Sequence, residues 1–285
     1  MTVEETHKAA ATFRLTSLHD AEKFAEHLSR YGEPISSTYD VRNHLRNIYR
    51  YSCVHSEDDR INGKLLSAYI DLELTYLFMM KDSLFAGGTH NRLHDTGKIE
   101  LVSVLDDFEL FSGKMDILYS LSAFSFRIRA FWDKYMGVLF LLYENEKYEK
   151  YIRSKSRKKY FLQHAQEWSG ISVHLLRCLT NIVRSWLIHS GQTEVAKEID
   201  DGKLCVSFPD PFLKILGDII EMVDTVRTAE AHGAGLLRKW TLANLSIERS
   251  RDFALINHWN HANAFMQALR TTIEEFAAQS SSPQR

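Results

Sequence analysis

Arg184 and His189 are the residues of this chain whose types and spacing suit acid–base work beside a bound phosphate. An imidazole that titrates near neutrality moves protons. A guanidinium holds non-bridging phosphate oxygens with a rigid fork of donors. Asn181 and Ser185 fall on the same helical line as His189, four residues apart, and Arg177 and Arg184 adjoin it. Residues five apart on a helix point about 140° apart. Arg184 and His189 therefore share a site only because arginine is long and the helix stops at Ser190-Gly191. The plainer alternative is that Arg184 caps carbonyls while His189 sits favourably against the helix dipole.

The element that must carry them runs from Ile171 to Gly191, ISVHLLRCLTNIVRSWLIHSG. Leu175, Leu179, Ile182 and Trp186, flanked by Leu176, Val183 and Leu187, recur at helical spacing and form a wide apolar face. Gly191 stands where a left-handed C-cap belongs. The same Arg-x4-His spacing recurs at Arg14/His19, Arg50/His55 and Arg227/His232, so spacing alone does not select a site. Arg184/His189 is preferred because it closes the most strongly amphipathic helix.

Two further stretches carry candidate chemistry. FSFRIRAFWDKYMG places Arg129 and Asp133 one turn apart. They form either an i,i+4 ion pair or a means for Asp133 to reach the Arg184/His189 end of a neighbouring helix. Between Lys147 and Lys159 lie seven basic residues: Lys147, Lys150, Arg153, Lys155, Arg157, Lys158 and Lys159, interleaved with Tyr148, Tyr151 and Tyr160. Such a run suits a phosphate backbone and stacked bases, and equally a solvated connection. His90, His94 and Asp95 resemble metal-ligand spacing, but Gly87-Gly88 ahead of them predict a surface loop, so no metal is expected there.

The composition bounds these readings. A chain of 285 residues with 45% hydrophobic and 25% charged residues has an ordinary globular make-up. The net charge of −2 means that attraction to nucleic acid must come from a local patch. Cys53, Cys178 and Cys205 are odd in number and widely spaced, which fits a reducing compartment rather than a disulfide framework. The start, MTVEETHKAAATF, lacks a signal peptide's apolar stretch, and no run suits a membrane span. The expectation is a cytoplasmic protein that needs no cofactor.

With only four prolines, the chain reads as all-α, an antiparallel helical bundle. Helices are predicted over 17–31, 39–54, 61–81, 115–148, 171–191, 192–200, 212–229 and 249–276. Gly233 and Gly235 mark a break. KLCVSF, 203–208, is the one β-like signal and reads as a brief strand or an extended linker.

The pair at the end of its helix, preceded by FSFRIRAFWDK and carried on LRCLTNIVRSWLIHSG, resembles the HEPN family. The branch it looks like has an aromatic-Asp-Lys element before the motif helix. The resemblance covers roughly 117–223. It implies a single all-α domain over 1–285: a HEPN-like core over about 60–276, an N-terminal helical extension over about 17–55, and a disordered tail over 280–285. It also implies a metal-independent endoribonuclease that leaves 2′,3′-cyclic phosphate and 5′-hydroxyl ends. Arg184 and His189 would be catalytic, oriented by Ser185, Asn181 and Asp133, with Arg153, Lys155, Arg157, Lys158 and Lys159 holding RNA. Motif helices from two subunits of a homodimer would face each other, supplying two histidines. A toxin or phage-defence role would follow, with an antitoxin or other regulatory partner. The family often has Asn after the Arg, where this chain has Ser185, which bears on catalysis more than on fold. The alternative is a non-catalytic helical module of the same type that binds nucleotide, RNA or a protein.

Overall fold

A computed structural model describes residues 18–55, 59–97, 107–168, 171–189, 191–206, 210–232 and 249–280. Among them the chain forms ten α-helices and no strand. In order these are α1 (Leu18–Gly32), α2 (Arg42–His55), α3 (Asp59–Asp95), α4 (Phe108–Tyr143), α5 (Tyr148–Arg153), α6 (Arg157–Ala165), α7 (Val173–His189), α8 (Thr193–Asp200), α9 (Asp210–Ala231) and α10 (Arg249–Ser280), with a 3-10 turn over Asn145–Lys147. The described chain divides into two compact units, residues 1–70 with 273–285 and residues 71–272.

In the first unit α1 and α2 pack through Ala25, Leu28, Leu45 and Ile48, all buried, and Arg46 pairs with Glu22 at 2.9 Å. Gly32 ends α1 under the Tyr39 ring, where a β-carbon would collide with the ring. Asp40 accepts from the Arg42 amide at 2.9 Å and from its guanidinium, which holds the carboxyl down at about 2. That contact fixes the entry to α2.

The second unit is built around α4. Its aromatic centre, Phe131, Trp132 and Tyr135, is fully buried and meets Phe265 of α10 edge-on, at 5.4 Å from Trp132 and 5.7 Å from Tyr135. The Tyr135 hydroxyl donates to the Phe265 carbonyl at 3.1 Å. Such burial contributes roughly 2 kcal/mol per large side chain. Antiparallel pairing with α3 shows in Lys134–Asp71 at 2.8 Å, in Arg127–Asp82, and in Leu93 lying against Gly113. Antiparallel pairing with α9 shows in Arg129–Asp224 at 2.6 Å and Ser122–Glu230 at 2.6 Å.

Beyond α4 the chain doubles back, held by a second aromatic cluster of Phe140, Tyr151, Phe161 and Trp168. Trp168 also donates to Glu144 at 2.8 Å. Tyr148 and Tyr151 of α5 pack over Gly137 of α4 at ordinary contact distance. These contacts put α6 beside α9, where Leu162 lies over Gly217. The tyrosines read as candidate base platforms are thus partly structural: Tyr151 is fully buried and donates to the Asp133 carbonyl at 2.6 Å.

One expectation needs correcting, and another is decided between its alternatives over the described residues. The segment over 87–97 is no loop: α3 continues to Asp95, and Gly87 and Gly88 sit on its exposed side with open space around them. Propensity is a weak prior, and two glycines cost only about 1 kcal/mol each against Ala. Leu93, docked on Gly113, and Thr89, also buried, hold that end of the helix. The β-like signal at 203–208 gives bends and an irregular stretch through 206; 207 and 208 lie outside the described residues, as do Gly233, Gly235 and 281–285. The left-handed cap is present, with Gly191 at φ 79° and the Gln192 amide bonded to the Leu187 carbonyl at 2.9 Å.

Within the second unit, Arg270 of α10 clasps Glu73 of α3 through two hydrogen bonds of 3.1 and 2.7 Å, with the glutamate fully buried and the arginine stacked over Tyr76. Removing one partner of such a pair strands the other charge. Arg270→Ala is therefore expected to lower stability by about 3–5 kcal/mol in urea denaturation. Replacing both residues with leucine should cost markedly less.

Candidate functional site

Six basic residues and three acidic ones line a cleft of about 1320 Å³ in the second unit: Arg129, Lys155, Arg157, Lys158, Lys159 and Arg227 against Asp133, Glu221 and Asp224. The chain as a whole carries −2, so the cleft concentrates positive charge against the overall balance. Its walls are the middle of α4, the α5–α6 connection with the first turn of α6, and the middle of α9.

The first turn of α6 sets its character. Arg157, Lys158 and Lys159 open that helix, no acidic residue joins them, and Ser156 at the N-cap makes no side-chain capping bond. A helix start carries amides without intrahelical partners and a partial positive charge. Three cations there oppose local stability by a few tenths of a kcal/mol or more each. The arrangement suits an anion arriving from outside. Lys155 and Lys159 are exposed, while Lys158 reaches across to Glu221. Phe126, 43% exposed, supplies an aromatic face in the same cleft.

At the floor, Arg129 lies between two carboxylates, with Nη1 3.0 Å from Asp133 and Nε 2.6 Å from Asp224. The Nη1 and both facing oxygens make no aligned hydrogen bond, so the contacts are chiefly electrostatic. Arg157 approaches Asp133 at 3.8 Å and Arg227 approaches Asp224 at 3.9 Å. Burial raises the Asp133 carboxyl above the ordinary aspartate range, against the downward pull of Arg129, Arg157 and Arg227.

The residues singled out from sequence fall into two groups. Asp133, Lys155, Arg157, Lys158 and Lys159 line the cleft. Arg153 does not; it projects from the last turn of α5 and lies 3.8 Å from Glu149. Arg184 is on α7 and grips Asp200 of α8 with two bonds of 2.5 and 2.8 Å. Asn181 and Ser185 are exposed on the same helix. The side chains of Trp186 and His189 lie outside the described residues. Asp133 thus pairs with Arg129 and Arg157, with Asp224 and Arg227 also acting on it, whereas Arg184 pairs with Asp200.

Asp224, Glu221 and Phe126 escaped sequence reading, and Arg227 entered it only as half of the Arg227/His232 spacing. The signal available was the polar face of α9, where Glu221, Asp224 and Arg227 follow at spacings of three opposite a buried Leu216–Ile220–Val223 face. Cys178 is buried, which pushes its thiol up to about 12, and Cys205 is exposed. His90, His94 and Asp95 stand near the end of α3, and among the described residues no group of three His, Cys, Asp or Glu could hold a metal ion. No described helix is long and apolar enough to cross a membrane.

The sequence matches no protein-family model, and neither the curated proteins nor the solved structures compared with it give a match.

The two arginine sites differ in burial, and mutation separates them. Arg129→Ala leaves two half-buried carboxylates without their shared cation and should cost about 3–5 kcal/mol in chemical denaturation. Arg184→Ala removes an exposed pair and is expected to leave the denaturation midpoint unchanged.

Proposed function

We propose that this protein binds single-stranded RNA in the basic cleft between α4, α6 and α9. The observation that carries the reading is the uncapped start of α6, which turns Arg157, Lys158 and Lys159 into a cleft that also holds Arg129, Lys155 and Arg227. A basic run that merely solvates a connection spreads over a convex surface; here its cations converge from separate elements on one concavity. Backbone phosphates would lie along Lys155 and Lys159, and a base would stack on Phe126. Binding of this kind releases counterions, so affinity falls steeply with salt.

Fluorescence anisotropy with a labelled single-stranded RNA tests it. Lys155→Glu with Lys159→Glu should weaken binding by at least about tenfold and flatten the plot of log affinity against log salt by roughly one to two phosphates. Equal affinity and equal slope in the double variant would end the proposal.

A second reading keeps α7 as a HEPN-like ribonuclease helix. It is supported by the surface position of Arg184, whose side chain is 42% exposed and is held by an exposed Asp200 that a phosphate can displace. Arg184 would bind the scissile phosphate and His189 would move the protons, with Asn181 and Ser185 alongside. A second protomer would supply the other histidine, and a toxin or phage-defence role with a regulatory partner would follow. On this reading RNA is cut in EDTA to 2′,3′-cyclic phosphate ends, and His189→Ala abolishes cutting while helicity stays unchanged. Cleavage that needs a divalent metal, or that persists in the variant, removes it.

A further inference from the structure

Arg129, Arg157 and Arg227 come from three different elements, α4, α6 and α9, and all three stand around the carboxylates of Asp133 and Asp224. Their grips are unequal. Arg129 is seated deeply, its side chain 14% exposed, at 3.0 and 2.6 Å from the two acids. Arg157 and Arg227, with side chains 37% and 40% exposed, stand off at 3.8 and 3.9 Å, beyond hydrogen-bond reach. The Nε of Arg227 is buried with no hydrogen-bond partner. Arg157 also donates to the Ile152 carbonyl at 3.4 Å, so both outer guanidiniums face the acids yet commit few of their donors to them.

The Asp133 carboxylate is held at the floor of the cleft by charge, 3.0 Å from Arg129, and not by a well-aligned hydrogen bond at Oδ1. Tyr151 bonds its backbone carbonyl, not its side chain, and no aligned hydrogen bond reaches Oδ1. What the carboxylate supplies is one negative charge among three arginines, at the place an incoming anion would occupy. A backbone phosphodiester there would bring one negative charge and two non-bridging oxygens, whose lone pairs can accept a donor from each arginine.

We infer that Arg157 and Arg227, backed by Arg129, form a phosphate subsite whose place is held by the Asp133 carboxylate until a ligand phosphate displaces it. Asp133 thereby acts as a brake: it keeps the arginines gathered and ordered, and a backbone phosphate must compete with its charge for them. Asp224 remains as the anchor for Arg129 and Arg227. This rests on the proposed binding of RNA in the cleft, whose backbone would furnish the phosphate.

The test compares the full-length protein with Asp133→Asn, Arg157→Gln and Arg227→Gln. Affinity is measured for a single-stranded RNA by anisotropy and for inorganic tripolyphosphate by calorimetry, with circular dichroism as the check on folding. Asp133→Asn keeps the side-chain shape and removes the charge; it should tighten both ligands by about three- to tenfold. Each arginine variant should weaken both by a similar factor, and Arg157→Gln placed on Asp133→Asn should cancel the gain. If folded Asp133→Asn binds both ligands no better than the parent, the brake is overturned. RNA affinity that still depends on Lys155 and Lys159 while ignoring all three floor variants overturns the subsite and leaves the RNA reading standing. Tripolyphosphate binding that follows the predicted order in a protein that binds no RNA supports the subsite and removes RNA as its ligand. Should Asp133→Asn fail to fold, the parent's loss of affinity in both arginine variants decides the matter: unchanged affinity in either one sinks the subsite.

Discussion

One guanidinium, that of Arg129, is shared by two acids on different helices, Asp133 on its own α4 and Asp224 on α9. Its Asp224 leg ties the polar flank of the α4–α9 pair together, while Leu216, Ile220 and Val223 bury the other flank. A half-buried cation between two carboxylates is costly to desolvate and strongly destabilising to break. It is therefore a constraint on geometry more than a source of net stability. On this side the first turn of α6 brings its cations beside the Arg129–Asp224 bridge.

The same constraint explains why the cleft is basic in a chain whose net charge is −2. Six cations within one concavity repel one another, and three acids placed among them keep the folded state tolerable. Those acids are not spread evenly. Asp133 and Asp224 serve the floor, and Glu221 ties Lys158 at the rim, which leaves Lys155 and Lys159 directed to solvent. Charge balance and ligand attraction are thus divided among different residues, and the division can be altered one residue at a time. The α7 end has a different economy: an exposed Arg184–Asp200 pair screened by water, contributing little to the fold.

Much of the fold was legible because it is written in periodicity. Leu175, Leu179, Ile182 and Leu187 of α7, Leu216, Ile219, Ile220 and Val223 of α9, and Phe124, Ile128, Phe131, Trp132, Tyr135 and Leu139 of α4 recur at helical spacing in the sequence and are buried. The cap at Gly191 was legible for the same local reason. The end of α3 was not, because glycines that break an isolated helix are tolerated where Leu93 docks against Gly113, a contact between residues far apart in the chain. The site was half legible. Composition revealed the cations at 155–159, and Arg129 with Asp133 stood out by spacing. Their meeting with Asp224 and Arg227 depends on the packing of α9 against α4, which no local pattern encodes. The interleaved tyrosines misled for a related reason: Tyr151 reads as an exposed aromatic in a charged run, yet the turn after α4 folds it inward.

Photocrosslinking of a single-stranded RNA to the protein, followed by mass-spectrometric mapping of the attached peptides, tests most directly where the nucleic acid lies. The account places it between α4, α6 and α9, so crosslinks should fall on Phe126 and on the peptide over 154–166. Crosslinks confined to α7 and α8, with the cleft peptides unlabelled, would contradict it and move the binding surface to the Arg184 end of the molecule.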